Sequence, residues 1–285
     1  MSKLSFRKNP RPGQAEVIAR ALEADQNQLC AKLPTGYGKT FTSACVYSSL
    51  QRQGKVDRLL YFVPTVGQLS QFVQDGKGDL EDACVDGVAY ICDIGFSGAA
   101  QAIKQHRRAS HQVFATTIQA LSTRSTGATV RDLMETGNWM ICVDEYHHYG
   151  LEKTWGRAVL DLQRLPSCKF LLAMSATPNR PGDDSAFGNP DVSVPYRRAV
   201  LEGSVKPMQC HAYTYRIDAI ENGDVISYTM QDLIDQAKSE KPEALEKVFS
   251  QMRWSPKYIS PLVDTPIARM IRQRCSGQPL QTLIG

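Results

Sequence analysis

Apolar residues along the chain occur in two alternating textures, helically spaced stripes and short continuous runs. Residues 11–24 place Val17, Ile18, Ala21 and Leu22 at helical spacing, with Pro12 near the start where its missing N–H does no harm. This predicts an amphipathic helix. A strand over 28–33 follows, then a helix from Lys39 to about Leu50 with Phe41, Ala44 and Cys45 along one face. The unit recurs: residues 58–63 form a near-continuous apolar strand, and Pro64-Thr65 opens a helix through Leu69 and Phe72. A shorter strand over 88–91 precedes a basic helical stretch over 99–108. Residues 112–116 predict another strand, followed by a helix from Ile118 and a helical piece near 130–135. Residues 139–143 are a buried strand with 170–174 as its expected neighbour. Continuous apolar strands alternating with helices imply a parallel sheet covered on both faces, so the fold class is doubly wound α/β. Ligands in such sheets sit at the carboxyl ends of the strands.

After Thr177 the texture changes. Residues 178–185 have loop composition, and the stretch to Pro195 stays irregular. A short helix over 196–202 closes on Gly203, a suitable C-terminal residue. Residues 209–217 predict a strand on a new element, 229–275 read as mostly helical and charge-mixed, and 279–285 read as one strand. The expected organisation is a first domain over 1–205, then a helical connector and the start of a second domain over 206–285. A sheet cannot close on a strand with nothing after it, so the chain is expected to be a fragment of a longer protein.

Composition narrows the class without deciding it. Of 285 residues, 42% are hydrophobic and 22% charged, ordinary values for a globular chain. No apolar run approaches the ~20 residues that span a bilayer, and residues 1–8 lack a signal peptide's apolar core. A cytoplasmic location without membrane contact is the expectation. The net charge of +4 permits nucleic-acid binding without demanding it. Eight cysteines include no C-x-x-C pair, and several sit in apolar runs, so buried free thiols are expected rather than disulfides or a zinc site.

The chemistry-bearing stretch is Leu33-Pro34-Thr35-Gly36-Tyr37-Gly38-Lys39-Thr40, between a predicted strand and a predicted helix. Gly36 and Gly38 allow backbone angles that wrap N–H groups round an anion. Lys39 can reach outer phosphates, and Thr40 can offer its hydroxyl to Mg²⁺. The positive end of the following helix adds to the same site. Leu33 stands where the usual pattern has its first glycine. The plainer alternative is a glycine-rich turn capping a helix.

A second constellation, Asp144-Glu145-Tyr146-His147, follows a buried strand. Opposite a phosphate loop, Asp144 would hold Mg²⁺, mostly through water, and Glu145 would orient and polarise the attacking water. Taken alone, the pair also reads as an acidic turn on a solvated loop.

These motifs resemble those of the first motor domain of superfamily-two DExH-box helicases and translocases. Leu33 to Thr40 is similar to that family's first motif, Asp144-Glu145-Tyr146-His147 to its DExH motif, and Ser175-Ala176-Thr177-Pro178 to its third, coupling motif. The resemblance implies a RecA-like P-loop NTPase domain with a central parallel sheet flanked by helices. It implies ATP and Mg²⁺ as cofactors, held by Thr35, Gly36, Tyr37, Gly38, Lys39 and Thr40, with Thr40 and Asp144 as metal ligands. Lys39, Asp144, Glu145 and His147 would be catalytic, and Ser175, Ala176 and Thr177 would couple the site to nucleic acid. Arg11-Pro12-Gly13-Gln14 resembles the upstream segment whose glutamine reads adenine, which implicates Gln14.

Pro64, Thr65, Gln68, Thr116, Thr117 and Gln119 stand where the family's strand-end loops meet the nucleic-acid backbone. Thr65 and Thr116 also read as helix N-caps. Residues 104–108 are basic and read more readily as an exposed helix face than as a binding patch. Residues 196–203 followed by Pro207 look similar to the exit segment of the restriction-enzyme-motor and repair-helicase branch.

The expected function is therefore an ATP-dependent helicase or translocase, with DNA favoured over RNA. The partners expected are a second RecA-like domain, which in this family supplies arginines to the site, and a nuclease or other subunit. The competing readings are a translocase that remodels complexes without strand separation, and a nucleic-acid-binding module that does not hydrolyse ATP.

Overall fold

The computed structural model describes residues 6–23, 25–85, 92–93, 113–121, 123–148, 154–178, 187–208, 216–221 and 224–229. Two compact units divide the chain, Met1–Pro207 and Met208–Gly285.

The first unit is a seven-stranded parallel sheet. Its strands are β1 (Gln28–Lys32), β2 (Arg58–Val63), β3 (Cys92–Asp93), β4 (Val113–Thr117), β5 (Trp139–Asp144), β6 (Cys168–Ser175) and β7 (Val192–Ser193), in the order β3-β4-β2-β5-β6-β1-β7. The helices are α1 (Pro12–Ala21), α2 (Lys39–Arg52), α3 (Val66–Asp82), α4 (Ile118–Leu121), α5 (Arg124–Met134), α6 (Thr154–Gln163) and α7 (Tyr196–Leu201).

Alternate strand residues face opposite ways, so each apolar strand feeds two cores. Leu29, Ala31, Leu59, Tyr61, Met140, Cys142, Phe170 and Leu172 pack with residues of α1, α2 and α3. Cys30, Leu60, Phe62, Ile141, Val143, Leu171 and Ala173 pack on the other face with residues of α4, α5 and α6. A sheet covered on both faces has no polar side to show, and this is why its strands read as unbroken apolar runs.

The predicted strands over 28–33, 58–63, 112–116, 139–143 and 170–174 all appear, within two residues of their observed ends. In the first unit helix α6 and strand β7 were not expected, and α3 was expected shorter than it is. Helix α6 was hidden by its mixed composition, although Ala158, Val159, Leu162 and Leu165 fall at helical spacing against the second core. Helix α3 runs ten residues past Phe72, because Leu69, Phe72, Gly76 and Leu80 continue its buried stripe through glycines and acids. The two-residue β7 lies in the stretch expected to be irregular; it adds to β1 through Ala31–Val192 and Lys32–Ser193. The expectations for 88–91, 99–108, 229–275 and 279–285 lie outside the described residues.

In the second unit, β8 (Arg216–Glu221) and β9 (Asp224–Thr229) form an antiparallel pair, with Arg216 opposite Thr229 and Glu221 opposite Asp224. Asn222-Gly223, a dipeptide that two-residue hairpins favour, joins them in the sequence. The strand expected over 209–217 overlaps β8 only at its last two residues. Among the described residues no helix is long and apolar enough to cross a membrane.

Candidate nucleotide site

The carboxyl ends of β1, β6 and β5 lie side by side and bring three separated motifs together. Lys32 is in register with Ser175, and Asp144 with Met174. The phosphate loop and the acidic pair are not on neighbouring strands. Strand β6 stands between β1 and β5 and sets Ser175 between the two motifs.

Leu33 departs from the glycine pattern for a packing reason. Its side chain is fully buried in the first core, and its N–H donates to Ser175 O at 3.0 Å. The turn itself comes from Gly36 and Gly38, at φ +76° and +88°, the left-handed region that glycine enters without strain.

Helix α1 holds this loop from behind. Arg11 Nη1 donates to Gly36 O at 2.9 Å, and Gln14 Nε2 donates to Tyr37 O at 2.9 Å and Gly38 O at 3.0 Å. Across a planar trans peptide, a C=O and the next N–H point in opposite directions. Tying back the carbonyls of Tyr37 and Gly38 therefore turns the N–H groups of Gly38 and Lys39 away from α1, as an anion cradle requires. Gln14 Oε1 accepts from Arg11 N at 2.8 Å, which fixes the amide orientation and leaves one oxygen lone pair. Gln14 is almost fully buried, so its observed work is bracing the loop.

Lys39, the first residue of α2, forms an ion pair with Glu145, Nζ to Oε1 at 2.7 Å, with side chains only 12% and 17% exposed. Glu145 reaches this position through backbone strain. It sits at φ +50°, a region costly for a residue with a Cβ, and turns the chain from β5 into the 3₁₀ turn Tyr146–His148. Its N–H donates to Asp144 Oδ1 at 3.0 Å.

The electrostatics of the two acids diverge. Burial pushes Asp144 up to about 6, with Glu145 adding to the rise and Lys39 opposing it. Burial also acts to raise Glu145, but the hydrogen bond and charge of Lys39, with His147 and Ser175, together bring it below the ordinary carboxylate value. Two adjacent carboxylates are thereby set to different proton affinities.

Ser175, fully buried, connects the acid to the coupling motif. Its hydroxyl donates to Glu145 Oε2 at 3.2 Å and accepts from Thr177 N at 3.0 Å. His147 Nδ1 lies 2.6 Å from Ser175 Oγ and 3.4 Å from Glu145 Oε2. Because the serine proton goes to Glu145, the imidazole proton belongs on Nδ1. Thr177 Oγ1 is 3.5 Å from the same nitrogen, so Lys39, Glu145, Ser175, His147 and Thr177 form one chain of contacts. Ala176 is half-buried between them.

The residues suit a magnesium nucleotide. Thr40 and Asp144 are hard oxygen donors, and burial together with the charge of Asp144 raises the phenol of Tyr61 well above its ordinary value. Among the described residues no three His, Cys, Asp or Glu gather as a metal cage. One hydroxyl and one carboxylate match an ion that arrives already bound to phosphates. The hold of Arg11 on Gly36 was not expected from sequence; its place three residues before Gln14 was the available signal.

The strand-end residues separate into roles. Thr65 is exposed and caps α3, accepting from Gln68 N at 3.3 Å, while its hydroxyl donates to Gln68 Oε1 at 2.9 Å. Gln119 Nε2 donates to the carbonyl of buried Pro64 at 2.7 Å, tying two of these loops together. Thr117 accepts from Ala120 N at 3.3 Å. Thr116 is fully buried, so a nucleic-acid contact by its side chain is excluded. It is the last residue but one of β4, a strand buried at all five positions because helices cover both faces of the sheet. Thr35 and Gly36 are exposed at the loop tip.

Residues 7–180 match the protein family described as "Type III restriction enzyme, res subunit". The chain belongs to that family. Its fold is α/β, a parallel sheet flanked by helices.

Similar solved structures include the SWI2/SNF2 ATPase core of Sulfolobus solfataricus in complex with dsDNA, at 17% identity over 67% of this chain and 38% of that chain, TM-score 0.47. The UvsW helicase of bacteriophage T4 is 22% identical over 65% of this chain and 60% of that chain, TM-score 0.46. The Hef helicase domain of Pyrococcus furiosus is 16% identical over 61% of this chain and 34% of that chain, TM-score 0.49. The chain thus spans less than two thirds of each of these proteins. A search of curated proteins gave no match.

Proposed function

We propose that this chain is the ATP-binding half of a nucleic-acid motor, a helicase or translocase, with DNA as the favoured track. The observation that carries the reading is the 2.7 Å contact between Lys39 of the phosphate loop and Glu145 of the acidic motif. A loop lysine and a buried acid from strands two places apart have no packing reason to meet; a phosphate-handling site gives them one. The DNA preference rests on the family's description as a restriction-enzyme subunit.

In this reading the N–H groups of Gly36, Gly38 and Lys39 wrap the phosphates, Tyr37, whose own N–H donates to Pro34 O at 3.1 Å, shapes the loop, and Gln14 offers its remaining lone pair to adenine. Thr40 and Asp144 hold Mg²⁺, which neutralises phosphate charge when bound. Lys39 turns from Glu145 to the outer phosphates, and this releases Glu145 to orient the attacking water. Ser175 and His147, both bonded to Glu145, then feel the change and pass it through Thr177 towards the nucleic acid. Pro64, Thr65, Gln68, Thr117 and Gln119 line the strand-end loops on that side. A first domain over 1–205 and the opening of a second over 206–285 form the proposed organisation. The second supplies the arginines that complete the transition-state charge, worth roughly 10³ to 10⁵ in rate. A cytoplasmic location and a nuclease partner belong to the same proposal.

The test is nucleotide-dependent stabilisation. A ligand that binds only the folded state at about 100 times its Kd adds about 2.7 kcal/mol. Mg·ATPγS is expected to raise the Tm of the wild-type chain and leave that of Lys39→Ala unchanged. An equal rise in both, or none in wild type, would refute the assignment.

A further inference from the structure

The phosphate loop has a second anchor, far from it in sequence. Tyr37, between the two positive-φ glycines, is fully buried, and its hydroxyl accepts from Gly13 N at 3.0 Å and donates to Glu202 Oε2 at 2.8 Å. Glu202 is the C-cap of α7, the last helix of the first unit. Its other oxygen accepts from Arg198 Nε at 2.7 Å. Arg198 also makes a two-pronged pair with Glu16 of α1, Nη2 to Oε1 at 2.6 Å and Nη1 to Oε2 at 3.0 Å. No slack remains around the tyrosine, since a Cβ on Gly13 would lie 2.4 Å from Val194 Cγ2 and 2.8 Å from Tyr37 Oη.

Two flexible glycines leave the loop backbone few restraints of its own, so its shape is decided by what holds Tyr37. On the backbone side the holder is Gln14. On the side-chain side it is Glu202, oriented by Arg198.

We propose that Glu202 and the Tyr37 hydroxyl position the phosphate loop for nucleotide, so that the helix leading out of the first unit sets nucleotide affinity. Both are positioning residues: neither touches the phosphates, and they act through the backbone of Gly36 and Gly38. The same tie runs in reverse, because binding linkage is reciprocal. Nucleotide that tightens the loop tightens the hold on α7, and a displacement of α7 loosens the loop. The inference rests on the loop being a nucleotide site.

The test is calorimetric titration of Mg·ATPγS into the full chain and into Tyr37→Phe, Glu202→Gln and the double variant, with a Tm for each. Both substitutions keep side-chain shape: Tyr37→Phe removes the hydroxyl that meets Glu202 and Gly13 N, and Glu202→Gln removes the charge that meets that hydroxyl and Arg198. Each is expected to raise Kd roughly fivefold, about the worth of one hydrogen bond net of water. The double variant is expected to be no more than about twofold weaker than either single, because the two remove the same tie. A purely structural role would move Tm and leave Kd alone. Unchanged affinity in the variants, or losses that multiply in the double, would overturn the inference while the nucleotide site stands. No binding by wild type would overturn both. Should Tyr37→Phe fail to fold, Glu202→Gln decides the matter by its Kd alone.

Discussion

Removing Lys39 should expose how much of the site's stability hangs on its pairing with Glu145. Breaking a fully buried ion pair from one side costs about 3–5 kcal/mol, because a charge is left behind without a partner. Here the side chains retain 12% and 17% exposure, so water reaches part of the stranded charge, and about 2–3 kcal/mol is expected for Lys39→Ala. Glu145→Gln should cost less, about 1 kcal/mol, since a neutral amide can still meet Ser175. In a double-mutant cycle the coupling should reach about 2 kcal/mol.

The pH dependence follows from the direction of each shift. In wild type the Glu145 pKa lies below 4.5, so its stabilising contribution is complete above that value and is lost as pH falls through the lowered pKa. In Lys39→Ala only His147 and Ser175 still oppose burial, so the pKa rises from its wild-type position. The charged acid then contributes less stability at pH 7.5 than in wild type, and the difference fades as pH falls and the acid protonates. Urea unfolding at pH 7.5 and pH 5.5 should therefore show the gap between the two proteins narrowing at the lower pH. A coupling below about 0.5 kcal/mol, or a gap that widens on acidification, would refute the ion pair as drawn.

Three further outcomes follow from the packing. Gly13→Ala should lower stability by about 1–3 kcal/mol in urea, since the new methyl meets Val194 and the Tyr37 hydroxyl; a neutral result would show that α1 does not press on the loop. Thr65→Ala should cost about 1 kcal/mol through the lost α3 cap, with Thr65→Ser close to wild type, whereas weaker nucleic-acid binding at unchanged stability would make Thr65 a contact instead. Burial holds the thiols of Cys30 and Cys45 up at about 12, Cys168 at about 11 and Cys142 well above the ordinary value, so these four should react slowly with Ellman's reagent at pH 8 until urea is added. Complete reaction of the native chain within seconds would contradict that core.

Much of the sheet was legible because a strand buried on both faces has to be apolar at every position. Arg58 to Val63 was read to the residue for this reason. Helix α6 was not, since a helix with one buried stripe dilutes its signal among polar residues and Val159 and Leu162 stand too far apart to look like a run. The motifs of the candidate site were legible as local patterns, yet their assembly was not. Glu145 at positive φ and Ser175 standing between two motifs are consequences of strand order, which no local pattern contains. Least visible was the partnership of Tyr37 with Glu202, which are 165 residues apart. Each looks unremarkable alone: one is a bulky residue in a glycine loop, the other an acid ending a short helix.

The most direct test of the central claim is ATP turnover by this chain, alone and extended to include a second motor domain, with double-stranded DNA, single-stranded DNA or RNA. The account predicts that the extended protein hydrolyses ATP, that double-stranded DNA stimulates it most, and that Glu145→Gln abolishes turnover while nucleotide still binds. Nucleic-acid binding without turnover in either form, or turnover that survives Glu145→Gln, would contradict it.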